Sequence, residues 1–398
     1  MTAIEDDRAA RPPGVAFYRN PRTRRIVVQS LVVLLLLWLG FELVVNARSN
    51  LAAKGIGSGF GFLGNNAGFD VSQALIPYGP TDSVKRLYFV GLLNTLLVAV
   101  LGIVFATILG FLIGIARLSN NWLLAKLAAG YVELVRNLPL LFQLLFWYLA
   151  VLGTLPPTRD SASLFDVIFF NNRGIVLPKP ILQDGAGWIG IALVAGLLLA
   201  WALRRVATVL QTATGKILPT FWLSLGLIVG LPCIALVATD FPVGFDLPRL
   251  QGFNFMGGWR VIPEFAALLI GLTIYTAAFI AETVRSGILA VERGQSEAAY
   301  ALGLPPRRTM RLVIIPQALR VIIPPLTSHY LNLTKNSSLA VGIGYPDLFA
   351  IFAGTALNQS GAQAIEILGM TMATYLALSL ATSALMNFYN ARLRLVER

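Results

Sequence analysis

Cysteine and histidine are almost absent from this chain. Among 398 residues there is one Cys, Cys233, and one His, His329. A lone cysteine cannot close an intrachain disulfide, and neither an all-Cys nor a His-pair metal site can be assembled. Charge is scarce as well. Asp, Glu, Lys and Arg make up 13% of the residues, roughly half the share of about 25% usual in soluble domains. Acids are the rarer sign, 19 against 31 Lys and Arg, for a net charge of +12. Apolar residues fill the space at 56%, and the mean hydropathy is +0.72. That balance excludes a soluble single-core protein and a disordered one. Gly and Pro follow no G-X-Y period, which excludes collagen.

Long apolar runs carry the first positive signal, because a helix needs about 20 such residues to cross a bilayer. Eight stretches read as spans: Ile26–Val45, Tyr88–Ala116, Leu138–Gly153, Trp188–Leu203, Pro219–Thr239, Pro263–Val284, Arg320–Thr334 and Ile365–Tyr389. The third and seventh are short and polar. The expected fold is all-α, a multi-pass transmembrane helical bundle of about eight spans. Val45-Asn46-Ala47 resembles a signal-peptide cleavage site, but the apolar stretch before it runs about 20 residues, longer than the 7–15 of a signal peptide. An uncleaved anchor is the better reading. Lys and Arg collect in the tail 1–25 and in alternate connections, among them Arg117, Lys126, Arg204, Arg205, Arg307, Arg308 and Arg311. By the positive-inside rule both termini are expected in the cytoplasm. Topology then accounts for the positive charge, and no support remains for a nucleic-acid role.

Three connections on the outer side, 46–87, 154–186 and 240–262, are dense in turn residues and do not read as independent domains. Gly59-Phe60-Gly61-Phe62-Leu63-Gly64 fits a dinucleotide-binding pattern but follows no predicted strand, so it reads as a flexible loop. Gly215-Lys216 lacks the first glycine of a phosphate-binding loop, where Leu210 stands. Gly110–Gly114 and Gly226–Gly230 are G-x-x-x-G pairs within spans and suit close helix packing, inside the chain or with a partner. His329 has no acid within a helical turn, which favours a hydrogen-bonded packing residue over a proton relay.

The connection between the sixth and seventh spans is about thirty residues long, where a few would suffice. Ser296 reads as an N-cap with Glu297 in the first turn, Ala298, Ala299 and Ala301 favour helix, and Gly303 with Pro305-Pro306 ends it. A small-faced helix flanked by turns and carried by two spans suits a groove in another protein. Glu297-Ala298-Ala299, Gly303 and Pro316 resemble the EAA signature of ABC importer permeases. Val313 and Ile315 stand where Ile and Leu are more usual. Four further segments narrow the resemblance to the polar amino acid, histidine/glutamine-type branch: Gly91–Leu96, Tyr131–Gln143, Ala281–Gly287 and Lys335–Leu339.

That resemblance implies a type I ABC importer permease core, in the long form of the general L-amino acid systems. It divides the chain into a tail 1–25, an extra span 26–45, a periplasmic loop 46–87, a first core part 88–153, an insertion 154–260 with two extra spans, and a second core part 263–390. The coupling loop is 287–318. It implies an ATPase subunit dimer, a homologous second permease, a periplasmic amino-acid-binding protein and an L-amino acid substrate. ATP and Mg would be bound by the partner, with no cofactor and no enzymatic role in this chain. The location implied is the inner membrane.

Charged and polar residues at span edges are the candidates for a gate or substrate path: Glu133, Arg136, Asn137, Gln143, Glu282, Arg285, Lys335 and Asn336. Glu133/Arg136 and Glu282/Arg285 are spaced as intrahelical ion pairs, and the same pairs could exchange partners in a gate. Asn137 and Gln143 either satisfy backbone groups freed by Pro139 or line a polar path. Asn332, Lys335, Asn336, Ser337 and Ser338 are either a polar helix end or a contact for an amino acid. Glu366 is a further candidate. The competing function is a gradient-driven secondary amino acid transporter, which predicts inverted repeats; no repeat is found.

Overall fold

The computed structural model describes residues 21–53, 59–216, 218–356 and 363–393. Most of the predicted tail 1–25 and the basic residues Arg394 and Arg398 lie outside the described residues. Seven helices are long and apolar enough to cross a membrane, or eight if one bent pair counts as a span. In chain order the helices are α1 (Pro21–Ala53), α2 (Val84–Ala116), α3 (Trp122–Asn137), α4 (Leu140–Leu145), α5 (Ala186–Thr214), α6 (Thr220–Ala238), α7 (Pro263–Leu289), α8 (Arg293–Ala301), α9 (Pro306–Thr309), α10 (Ile315–Asn336) and α11 (Ala364–Leu393).

The two short, polar spans differ from expectation in extent. The third is the bent pair. α3 stops at Asn137, and the chain turns by 108° into α4 and a π-helical stretch, Phe146–Leu152. Pro139 lies in this break and has an extended backbone, φ −60 and ψ 136. Its ring and missing N–H prevent the helix from running on. The seventh span runs continuously from Pro306 to Ile343. Pro316 is accommodated at the start of α10, directly after a π turn, Met310–Ile314, in which Ile315 N–H reaches back to Met310.

α2 and α7 make the largest helix contact among the described residues. Glycine permits it. A Cβ on Gly110 would stand 2.6 Å from Ile280 Cβ, and one on Gly114 would stand 2.8 Å from the Ala281 carbonyl oxygen. The small residues of α2 therefore seat the Ala277–Ala281 ridge of α7. The second glycine pair behaves differently: Gly226 and Gly230 meet nothing within 4 Å, and α5 packs on α6 through Gly196 instead. Gly114→Val should destabilise the bundle by on the order of 2 kcal/mol, since the backbone it strikes cannot rotate away. Gly230→Val should leave thermal unfolding in detergent unchanged, so the difference between the two melting curves measures the contact.

Three apolar clusters hold the bundle, two of them built on α7. One joins Leu140, Leu144 and Leu152 to Leu268 and Leu272. A second joins Ile280 and Val284 to Ile322 and Leu326. The third joins Leu87 and Val90 to Leu348, Phe352 and Ile367, and includes Phe62. Phe62 corrects the expectation of a flexible glycine loop. Gly61–Gly64 is a 3-10 turn whose Phe62 is pinned in the core.

Strands were not expected. β1 (Ala162–Leu164), β2 (Ile168–Asn171), β3 (Gly174–Leu177), β4 (Lys179–Leu182), β5 (Val243–Asp246), β6 (Arg249–Gln251), β7 (Asn254–Met256) and β8 (Trp259–Val261) form three small antiparallel sheets. β3 pairs with β8 and β4 with β5, so the connections before α5 and after α6 are hydrogen-bonded into one cap at one end of the bundle. α7 starts in this cap and runs for 27 residues, about 40 Å at 1.5 Å per residue. α8 lies at its other end.

Candidate functional site

α8 begins one turn earlier than its sequence implies. Arg293 is its first residue and Glu292 precedes it as cap, so Ser296 is not the N-cap and Glu297 is mid-helix. A hydrogen bond from Gln317 Nε2 on α10 to Gln295 Oε1, 3.3 Å, accompanies the added turn and overrides the local preference of Ser296 for a cap. The other end is as expected. Gly303 has φ +77 and meets nothing that a side chain would strike, so the conformation alone demands glycine. Leu304 N–H donates to Ala299 O at 3.1 Å and Gly303 N–H to Tyr300 O at 2.9 Å, the paired bonds of a Schellman stop.

Ala299 is buried, turned toward α9 and the π turn, while Glu297, Ala298 and Tyr300 are exposed. Thr309 Oγ1 donates to Leu304 O at 3.4 Å, a second tie across the turn. The helix is thus fixed on one side and open on the other. Pro316 stands in the first turn of α10, just beyond Ile315.

Of the two spaced ion pairs, one forms. Arg285 donates to Glu282 Oε1 at 2.7 Å, and Arg117, at the C-terminal end of α2, pairs with the other carboxylate oxygen. Glu282 therefore ties α2 to α7 through two guanidiniums near the α8 end of the bundle. Glu133 and Arg136 do not pair. Arg136 instead stacks its guanidinium 5.2 Å from the Phe279 ring centroid, and Glu133 is exposed. A cation over an aromatic face on a neighbouring helix replaces the expected intrahelical pair.

Asn137 and Gln143 serve the helix break. Asn137 Nδ2 donates to Glu133 O at 2.7 Å. Gln143 is buried, and its Nε2 donates to Val135 O at 2.9 Å and Leu138 O at 3.0 Å. It satisfies carbonyls that the turn at Pro139 leaves without helical partners. Gln143→Leu keeps the volume and removes the donor. It should cost about 1–3 kcal/mol, read as a lower melting temperature of the chain in detergent.

A cavity of about 250 Å³ lies between α7 and α10, lined by Tyr275, Thr276, Phe279, His329, Asn332 and Asn336. Asn336 belongs to the predicted cluster, whereas Lys335 is exposed and does not line the cavity. Ser337 and Ser338 donate to carbonyls one turn back, as residues of a helix end do. His329 Nε2 lies 2.9 Å from Thr283 Oγ1 on α7, the hydrogen-bonded packing role expected, and its ring also faces the cavity. Glu366 accepts from Gly59 N–H at 2.8 Å, tying the loop before α2 to α11.

One constellation was not foreseen. Asn94 Nδ2 donates to Gln73 O and Pro346 O, at 2.9 and 2.8 Å. Thr95 Oγ1 accepts from Leu348 N–H at 3.0 Å, and a Cβ on Gly91 would stand 2.8 Å from Leu348 Cα. Gly91–Thr95 is thus the seat for the segment after α10. Asp347, fully buried, fixes that segment by accepting from Ala350 N–H at 2.8 Å and Tyr375 Oη at 3.0 Å. The acid followed by an apolar run was a visible signal of a helix start; its burial was not.

Residues 186–395 match the family model described as binding-protein-dependent transport system inner membrane component. The chain is 52% identical to the general L-amino acid transport system permease protein AapQ of Rhizobium johnstonii, over 95% of this chain and 94% of that one. It is 45% identical to the glutamate/glutamine/aspartate/asparagine transport system permease protein BztB of Rhodobacter capsulatus, over 98% and 99%. A solved amino acid ABC transporter structure superposes with a TM-score of 0.45 at 21% identity, over 77% of this chain and 94% of that one.

Proposed function

Since the chain belongs to the binding-protein-dependent transport system inner membrane components, as a multi-pass permease subunit of an amino acid ABC importer, we propose that it moves substrate by alternating access, driven through α8 by a separate ATPase. The observation that carries this reading is that α8 is fixed on one side and open on the other. Its open side offers Glu297, Ala298 and Tyr300. Its fixed side is tied to the start of α10 by Gln295 and Gln317. A displacement of α8 is passed to α10, which carries His329, Asn332 and Asn336 into the polar cavity. Those residues lie roughly 18–28 Å further along the same helix, at 1.5 Å per residue.

In this reading α8 faces the cytoplasm, the β cap faces the periplasm, and both termini are cytoplasmic. The cavity between α7 and α10, with Arg136 stacked beside it on Phe279, is part of the substrate path. Glu282, Arg285 and Arg117 close its inner end. The ATPase dimer holds ATP and Mg, a homologous permease completes the pathway, and a periplasmic binding protein delivers an L-amino acid to the cap side. The chain itself needs no cofactor.

Uptake of labelled L-glutamine by cells carrying the whole importer tests the drive. Depletion of ATP should abolish uptake, while an uncoupler that leaves ATP in place should not. Uptake that survives ATP loss and disappears with the uncoupler would mark a gradient-driven carrier instead.

A further inference from the structure

Between the β cap and the bundle lies a second polar cavity, an open cleft of about 510 Å³ whose Arg173 and Arg260 are exposed, within the range of roughly 300–1,000 Å³ usual for small-molecule sites. Its polar lining is Arg173, Arg260, Glu264, Tyr148, Asn172 and Ser72. These residues arrive from four places in the sequence. Asn172 and Arg173 form the turn between β2 and β3, where Asn171 pairs with Gly174. Gly174 has φ +121, and a Cβ there would press into the Val261 carbonyl. Only glycine lets this turn lie flush on β8, and that contact brings Arg173 beside the strand that carries Arg260.

β8 then leads directly into α7, whose first residues are Pro263 and Glu264. Tyr148 comes from the π-helical stretch after α4, and its hydroxyl donates to Glu264 Oε1 at 3.0 Å. That bond holds one oxygen of a carboxylate that lines the cavity, and the other has no partner among the described residues.

The charges are not balanced internally. Among the described residues the Arg260 side chain has no hydrogen-bond or ion-pair partner, and the Arg173 side chain bonds the neutral Asn254, at 2.5 Å. Two guanidiniums bordering one cavity, with the first-turn N–H groups of α7 at its edge, favour an anion between them. A carboxylate facing the same space favours a cation. Both arginines also border a neighbouring cavity of about 460 Å³, but no acid lines it. Only the first cavity offers both signs, which is the pattern of an α-amino acid zwitterion.

We propose that this cavity is an outer binding site for a zwitterionic α-amino acid, with Arg173 and Arg260 holding its carboxylate and Glu264 its ammonium. The site rests on the import reading for its purpose, since it lies on the cap side where substrate would enter. It is built largely by the insertion, which supplies Asn172, Arg173 and Arg260. The insertion thereby acquires a chemical role beyond adding two spans.

The test is binding of L-glutamine to the full-length chain in lipid nanodiscs, read by calorimetry. Two partial ligands accompany it: 4-aminobutanamide, which lacks the α-carboxylate, and glutaramic acid, which lacks the α-amino group. The wild type should prefer L-glutamine to each by about tenfold or more, the worth of a charged hydrogen bond. Arg173→Ala and Arg260→Ala should abolish the preference over 4-aminobutanamide and keep that over glutaramic acid. Glu264→Gln should do the converse. Each variant is first required to elute and melt as the wild type does. Arg260→Lys, which keeps the charge but loses the planar fork, replaces an alanine variant that does not fold, and should reduce the same preference in part.

A wild type that does not distinguish the three ligands, or variants that weaken all three alike, would overturn the site. ATP-driven uptake by the whole importer is measured in parallel. Uptake that remains ATP-driven while the ligand preferences fail sinks the site alone. Loss of ATP dependence sinks the import reading, whatever the ligand preferences are.

Discussion

Glu297→Lys should lower ATP-driven uptake by about tenfold or more, the scale set by a like-charge contact at a protein interface. The chain should still insert and fold. Its position in α8 makes the result interpretable. Glu297 lies mid-helix and is exposed. Glu and Lys have nearly equal helix propensity. The stop at Gly303 and the tie between Gln295 and Gln317 do not involve the side chain. The substitution therefore changes the open face of α8 and little else. The measurement is paired: uptake in cells, and recovery of the ATPase with a tagged chain from mild detergent. Both should fall together, with Glu297→Gln between wild type and Lys. Unchanged uptake with Lys would remove α8 as the point of coupling.

Glu282→Gln should destabilise the chain by on the order of 2 kcal/mol, less than for a fully buried pair because its partners keep some solvent. Arg117 and Arg285 are 13% and 32% exposed and share this one carboxylate. Neutralising it leaves two guanidiniums facing each other at the end of a span. Arg285→Gln should cost less, because Arg117 still holds Glu282. Combining Arg117→Gln with Glu282→Gln should recover part of the loss, as expected for coupled sites. Melting of the purified variants checks all three. Equal losses for Glu282→Gln and Arg285→Gln would mean that the two arginines are not sharing the acid.

The bundle was legible because membrane helices advertise themselves by composition. Six of the eight predicted spans fall on observed helices, five of them within about five residues at each end, while the fourth continues eleven residues past its predicted end at Leu203. The other two failed for physical reasons. α3 buries Ala128, Val132 and Val135 on one face, but Lys126, Glu133 and Arg136 lower its average hydropathy, so it did not read as part of a span. The seventh looked short because Arg311, Pro316 and Arg320 on one side and Lys335 on the other bound its apolar run. In a bundle, neighbouring helices and wider turns absorb a break such as that at Pro316.

The site was legible where a local rule governs it. Gly303 as a helix stop and Glu282–Arg285 as an i, i+3 pair follow from spacing alone. Glu133 and Arg136 obey the same spacing but part company, because Phe279 on another helix competes for the arginine. Asn94 gains its role from a contact across 252 positions of chain, its bond to Pro346, and Asp347 from Tyr375 on another helix, 28 positions on. The strands were hidden for the same reason. They are three or four residues long, and β3 finds β8 only once α5 and α6 have crossed and returned.

Leu152 and Ile262, the residues on either side of the cap and its two helices, belong to one apolar cluster. The chain therefore leaves the bundle and comes back at nearly the same place, after more than a hundred residues. Such a detour is a branch of the structure and not a link in it. Its length, its sheets and even its helices can be altered without rerouting the path from α4 to α7.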